Sequence, residues 1–258
     1  MLSRASLRQC GVAASSWRPA LRPARAACRW LSATGRVRPM WGSAPSSLLA
    51  HATNPVHVLM GANVAVFCAF TALGSDARVS RFFSRHMVLR PSNLRRGDYA
   101  SLLGSVFTHL QPLHLLFNML ALQSFGGAAL AMLGSGAFLG LYAAAGLAGS
   151  LAQVNYPRAA VALRAPARFS LPPDAAAVGA SGAIAGLIAY VCVRVPSGTT
   201  TVLVLPVPNR IFLPLAASIS AYLAWTSGDS SVGHASHLGG AVIGAVFALT
   251  RRRGGAGW

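Results

Sequence analysis

Six stretches of apolar residues, each long enough to form a membrane-spanning helix, follow one another along this chain from residue 55 onward. They run roughly over Pro55–Gly74, Pro112–Leu133, Gly136–Val154, Ala175–Val195, Arg210–Thr226 and Val232–Leu249. A helix needs about 17 to 25 predominantly apolar residues to cross a hydrocarbon core of ~30 Å. Only 10% of the residues are charged, whereas an ordinary soluble domain has roughly 25%. The sequence therefore predicts an all-α, polytopic membrane protein with a bundle of six transmembrane helices.

The segments between the spans are short, apart from residues 75–111 and 155–174. Neither of these two is long enough for a separate folded domain, which typically needs 50 residues or more. We therefore expect residues 51–258 to form a single six-helix domain.

Residues 1–50 have a different composition from the rest of the chain. They contain eight arginines and several serines but no acidic residue. Organelle transit peptides have this composition, which also occurs in disordered basic tails that bind anionic lipid or nucleic acid. We interpret residues 1–50 as a mitochondrial transit peptide or disordered basic segment.

The net charge of +18 does not indicate a nucleic-acid partner, because of where the charges lie. Apart from the eight arginines of residues 1–50, six arginines fall within residues 78–96 and three close the chain at 251–253. Such positions flank the predicted spans, where arginine meets lipid headgroups. The arginine positions therefore predict the lipid bilayer as a partner, and no nucleic acid.

Four polar residues lie near the starts of alternate spans. His114 and Asn118 fall in the second span, Ser181 in the fourth and His237 in the sixth. With short loops, these three spans all begin from the same side of the membrane, and each residue adds about 1.5 Å of depth. The topology therefore predicts that the four side chains lie at a similar depth.

These residue types fit acyl-transfer chemistry. A serine hydroxyl needs a base to take its proton, and the imidazole of His237 can serve Ser181 in that role. Side chains of His114 and Asn118, together with the backbone N–H of Ser181, can donate to a developing oxyanion. The four acidic residues, Asp76, Asp98, Asp174 and Asp229, all fall in predicted loops. A serine–histidine dyad is therefore favoured over a triad, and no metal or cofactor is expected.

Two rows of small residues would bring the dyad together. Gly182 and Gly186 are four apart in the fourth span, and Gly240 and Gly244 are four apart in the sixth. Glycines at this spacing let the backbones of two membrane helices approach closely. We therefore expect the fourth and sixth spans to cross at these glycines.

Three motifs in order resemble the rhomboid intramembrane serine proteases over about 195 residues. They are His114-Leu115-Leu116-Phe117-Asn118, Gly179-Ala180-Ser181-Gly182, and His237-Leu238-Gly239-Gly240, the last preceded by Ser236 in place of the usual alanine. The resemblance implies Ser181 as nucleophile, His237 as base, and His114, Asn118 and the Ser181 amide as oxyanion donors.

The arginine-rich N-terminal segment and the residues around the serine motif, Gly179–Gly186, are most similar to the mitochondrial branch of that family. This similarity implies a multi-pass protein of the mitochondrial inner membrane that cleaves peptide bonds in or next to transmembrane segments. The alternative is a catalytically silent relative that binds transmembrane segments. Many bacterial members stack a tyrosine on the histidine, four residues after the serine, whereas this chain has Ala185 there. Another group must therefore orient His237.

Overall fold

The structure is a computed structural model that describes residues 53–162, 174–202, 205–226 and 233–251. The predicted transit segment, residues 1–50, lies outside these ranges.

The described chain folds as a bundle of helices with one small hairpin. In chain order the helices are α1 (Pro55–Leu73), α2 (Ala77–Phe82), a π-helical turn (Phe83–Met87), α3 (Pro91–Arg95), α4 (Ser101–Gly104), a 3-10 turn (Ser105–Phe107), α5 (Pro112–Ala121), a second π-helical turn (Leu122–Gly126), α6 (Gly127–Leu133), α7 (Ser135–Ala162), α8 (Ser181–Arg194), α9 (Asn209–Thr226) and α10 (His234–Thr250). This architecture confirms the predicted all-α fold class.

Three helical segments among the described residues are long and apolar enough to cross a membrane. They are α1, the continuous run from α5 through α6, and residues Ser135–Tyr156 of α7. α8 and α10 are also apolar but shorter, with 14 and 17 residues. The first two spans begin where local chemistry starts a helix, because a proline occupies the first helical position of α1 and of α5.

The fourth span begins later than the sequence predicted. Apolarity placed its start near Ala175, but α8 begins at Ser181. The backbone N–H and C=O of Ala177 both bond to Leu89, at 2.9 and 3.0 Å, instead of to a helical turn. Gly179 then has a φ of +123°, which a right-handed helix does not contain. Residues 174–180 therefore form a non-helical segment that leads into α8.

α7, α8 and α10 pack against one another at the centre of the bundle. A methyl group added at Gly240 would overlap the carbonyl oxygen of Gly182, and one added at Gly244 would overlap that of Gly186. The predicted close crossing of the fourth and sixth spans is therefore confirmed. The fully buried side chains of Leu187 and Phe138 belong to the apolar core.

The connection between α8 and α9 contains a hairpin that the apolar pattern of the sequence did not predict. β1 (Thr199–Val202) and β2 (Leu205–Pro208) pair as an antiparallel two-stranded sheet. Asn209 closes it, because its amide donates to the carbonyl of Val195 at 2.8 Å. This hairpin lies at the opposite end of α8 from Ser181.

Residues 75–111 fold into a compact element rather than an open loop. Asp76 caps α2 by accepting from the backbone N–H groups of Arg78 and Val79. The buried side chain of Asn93 donates to two backbone carbonyls, at 2.8 and 2.9 Å. We call residues 75–111 the platform, because the segment that leads into α8 rests on it.

Candidate active site

The four predicted site residues line one cavity. It has a volume of about 710 Å³ and is walled by α5, α8, α9 and α10, together with Leu110, Gln111, Ala176 and Val178. Most of its wall is apolar, and Ser181, His237, His114 and Asn118 are among its polar groups. A largely apolar cavity with a few convergent polar groups is the usual form of a ligand or substrate site.

Ser181 is the first residue of α8. Its N-cap residue is Ala180, which has no side chain able to cap the helix. The first backbone N–H groups of a helix have no partner within it, and they carry the positive end of the helix dipole. The Ser181 N–H therefore lies beside its own hydroxyl at a place suited to stabilising a negative charge.

His237 lies in the first turn of α10. Its backbone N–H donates to the carbonyl of Gly233 at 3.1 Å. The ring of His234 stands perpendicular to the ring of His237, with 6.0 Å between the ring centroids. Ala185 lines the cavity but offers no ring. Among the described residues, His234 is therefore an aromatic neighbour of His237, in an edge-to-face arrangement.

His114 packs directly against the backbone at Gly179. A methyl group added there would lie 2.7 Å from Cε1 of His114, well inside normal contact. Gly179 also has a positive φ, so both space and backbone conformation require glycine. The first glycine of the serine motif thus lets the imidazole reach the start of α8.

Asn118 lies one turn after His114 on α5. Its amide nitrogen donates to the carbonyl of His114 at 2.9 Å. A primary amide has two hydrogens, so this bond leaves a second donor on the same nitrogen. The bond to its own helix holds the amide in place at the cavity wall.

Two further polar residues support the site and were missed from the sequence. His109 is fully buried, and its Nε2 accepts from the N–H of Ala180 at 3.5 Å. Gln153 of α7 is 6% exposed, and its Oε1 accepts from the N–H of Ser236 at 3.2 Å. A glutamine within an apolar span was the available signal, because uncompensated polar groups are costly there.

None of the carboxylates among the described residues lines the cavity. Asp76 caps α2, Asp98 pairs with Arg85 at 2.7 Å, and Asp174 bonds to the platform. Asp229 lies outside the described residues. Within the described chain, His237 therefore has no carboxylate partner at the cavity, which is compatible with a dyad.

Comparison with known proteins matches residues 96–254 to the model of the Rhomboid domain family. The chain is 34% identical over 203 residues to Rhomboid protein 1, mitochondrial, of Saccharomyces cerevisiae, covering 76% of this chain and 53% of that protein. It is 28% identical over 191 residues to the human Presenilin-associated rhomboid-like protein, mitochondrial, covering 72% and 45%. It is 33% identical over 157 residues to Rhomboid protease GluP of Bacillus subtilis, covering 61% and 27%. The chain spans about half the length of the mitochondrial relatives it matches.

Proposed function

Because the chain belongs to the rhomboid family, we propose that it is an intramembrane serine endopeptidase. Its substrates are membrane proteins, which it cleaves at peptide bonds in or next to their transmembrane segments. The observation that carries this proposal is the convergence of Ser181, His237, His114 and Asn118 on one cavity. The name of the bacterial relative, a rhomboid protease, supports the same activity.

The proposed mechanism uses the two sides of the cavity. His237 takes the proton of the Ser181 hydroxyl as its oxygen attacks the substrate carbonyl carbon, and returns that proton to the leaving amine. The developing oxyanion faces the Ser181 N–H and the side chains of His114 and Asn118. Water then hydrolyses the acyl-enzyme with His237 again as the base.

The substrate helix must unwind before it can be cleaved. A carbonyl within a helix is already hydrogen-bonded and is shielded by the neighbouring turns, so the Ser181 hydroxyl cannot approach its carbon atom to attack it. Helix-destabilising residues near the cleaved bond lower the cost of unwinding in the membrane. We therefore expect substrates with glycine or proline near the bond to be preferred.

The decisive experiment compares wild-type protein, reconstituted in liposomes with a model transmembrane substrate, with Ser181→Ala and His237→Ala. Loss of either dyad member should reduce cleavage by at least about 10³-fold. Ser220→Ala is the matched control, because this serine lines the same cavity from α9. Cleavage that survives either dyad substitution would exclude this dyad.

A second measurement distinguishes the proposed protease from a catalytically silent relative that binds transmembrane segments. A fluorophosphonate probe should label wild type at Ser181 and should not label His237→Ala, because the hydroxyl needs its base. Binding of a transmembrane peptide without labelling or cleavage in the wild type would favour the silent alternative.

We further propose that the protein resides in the mitochondrial inner membrane. The arginine-rich, acid-free residues 1–50 and the mitochondrial names of two relatives support this location. Fluorescent tagging and protease protection in mitoplasts would test it. Deletion of residues 1–50 should abolish import, and import without them would contradict their role as a transit peptide.

A further inference from the structure

The seven residues before the nucleophile, 174–180, are fastened along the platform at several points. We call these residues the nucleophile segment. Ala177 pairs with Leu89 through two backbone hydrogen bonds, and the N–H of Gly179 donates to the carbonyl of Ser105 at 2.8 Å. Ala176 and Val178 of this segment line the cavity. The platform therefore determines where one wall of the cavity lies.

At its outer end the nucleophile segment is held by the side chain of Asp174. Its Oδ1 accepts from the N–H of Ser92 at 2.7 Å, and its Oδ2 accepts from the Ser92 hydroxyl at 2.8 Å. The backbone carbonyl of Asp174 also accepts from Arg90 at 3.2 Å. The two contacts at Ala177 and Gly179 use backbone atoms only, whereas the Asp174 clamp depends on its carboxylate.

We propose that Asp174 is a positioning residue for the reaction. It clamps the nucleophile segment onto the platform, so that Ala176 and Val178 hold the substrate chain in register with Ser181. This inference rests on the proposed protease function, but Asp174 touches neither the dyad nor the oxyanion donors. Its effect is on which bond is presented and how well, rather than on the reactivity of Ser181.

The two hydrogen bonds with Ser92 contribute most to the clamp. Arg95 and Arg90 lie 3.7 and 4.0 Å from the carboxylate, but the three side chains are 40 to 60% exposed. Ion pairs in such exposed positions contribute little because solvent and salt screen them. Burial raises the pKa of Asp174, but the hydrogen bonds from Ser92 and the charges of Arg90 and Arg95 outweigh burial and lower it.

The chain offers a matched set of variants. Asp174→Ala removes both acceptors, whereas Asp174→Asn keeps an acceptor for the Ser92 N–H and can donate to the Ser92 hydroxyl. Asp76→Ala is the control, because it deletes an aspartate that caps a helix of the platform without touching the nucleophile segment. Each variant is assayed as full-length protein for fluorophosphonate labelling, for kcat and KM with a transmembrane substrate, and for cleavage position by mass spectrometry.

We expect Asp174→Ala to lower kcat/KM by about tenfold, as for a reacting group misplaced by a fraction of an ångström. Products cut at neighbouring bonds should appear, while the labelling rate stays within about twofold of wild type, because a small probe does not need the wall. Asp174→Asn should recover most of the loss, and Asp76→Ala should match wild type. Hydrogen exchange at Ala177 and Gly179 should speed up in Asp174→Ala alone.

Several results would overturn the proposal. One is unchanged efficiency and cleavage position in Asp174→Ala. Another is a loss of labelling as large as the loss of cleavage, which would indicate general damage to the fold. Failure of the protease function is recognised separately, because wild type would then neither label nor cleave. Hydrogen exchange still tests the clamp in that case, and equal exchange in Asp174→Ala and Asp76→Ala would refute it.

Discussion

Replacing Gly240 by alanine tests whether the tight helix crossing is what brings the dyad together. The added methyl carbon would lie 2.8 Å from the carbonyl carbon of Gly182. Carbon atoms pack comfortably at about 3.5 Å, so α8 and α10 must separate by at least about 0.7 Å to clear this carbon, and further to clear the Gly182 carbonyl oxygen that the methyl group overlaps. Gly182 adjoins Ser181, and Gly240 is one turn after His237. The separation therefore acts directly on the distance between hydroxyl and imidazole.

The magnitude follows from that displacement. Overpacking of this kind typically lowers the free energy of unfolding by about 1–3 kcal/mol. A misplacement of 1 Å at reacting groups can cost about 10²-fold in rate, so we expect Gly240→Ala to cleave about 10²-fold more slowly. Cleavage of a transmembrane substrate in liposomes and thermal unfolding in detergent measure the two effects.

Gly61→Ala is the matched control for this prediction. Gly61 lies within α1, and a methyl group added there meets nothing within 4 Å. Alanine also has the higher helix propensity, so stability should be unchanged or slightly raised and activity should match wild type. The reasoning is refuted if Gly240→Ala cleaves as fast as Gly61→Ala, because the crossing would then tolerate the wider spacing.

Three further outcomes are expected. Gln153→Met should destabilise by about 1 kcal/mol and slow cleavage, because the N–H of Ser236 loses its acceptor, whereas Gln153→Glu should retain activity. Asn118→Ala should lower kcat by about 10²- to 10³-fold with little change in KM, as for loss of an oxyanion donor. Because the pKa of Asp174 is depressed below its ordinary 3.8, its contribution to stability is present above that pH and is lost only as pH falls through the lower value. Thermal unfolding should therefore show a constant difference between wild type and Asp174→Ala from about pH 8 to 5, narrowing below about pH 4.

The spans could be predicted because each depends on local information. Apolar length predicts a crossing, and capping chemistry predicts where it begins, as at Asn54 and Pro55, where the Asn54 side chain accepts from the N–H of Val56 at 2.9 Å. The fourth span was misplaced because Ala175–Val178 is apolar in either conformation. A short apolar run does not distinguish a helix from an extended segment. What decided it was Leu89, a backbone partner far away in sequence.

The supports of the site escaped prediction for a different reason. Topology places His114, Ser181 and His237 at one depth whatever the rotation of their helices, so the pattern of spans was enough to group them. Gln153 and His109 matter only because their side chains point at the N–H groups of Ser236 and Ala180. The direction of Gln153 around its helix axis depends on packing, which a single sequence does not specify for a span that is apolar on every side. His109 lies in the non-helical link between the 3-10 turn and α5, where the apolar pattern predicts no side-chain direction.

The same distinction bears on how His237 is oriented without an aromatic partner on α8. The structure surrounds the start of α10 with three fixed contacts: the Gly233 carbonyl, the His234 ring and the Gln153 side chain. Gly233 cannot cap α10 with a side chain of its own. A buried acceptor on α7 therefore satisfies a backbone donor that would otherwise be left open in an apolar environment. With Ala185 too small to hold the ring, the orientation of the proposed base depends on how α10 is anchored, by the hydrogen bond from Gln153 of α7 as well as by the close glycine crossing with α8.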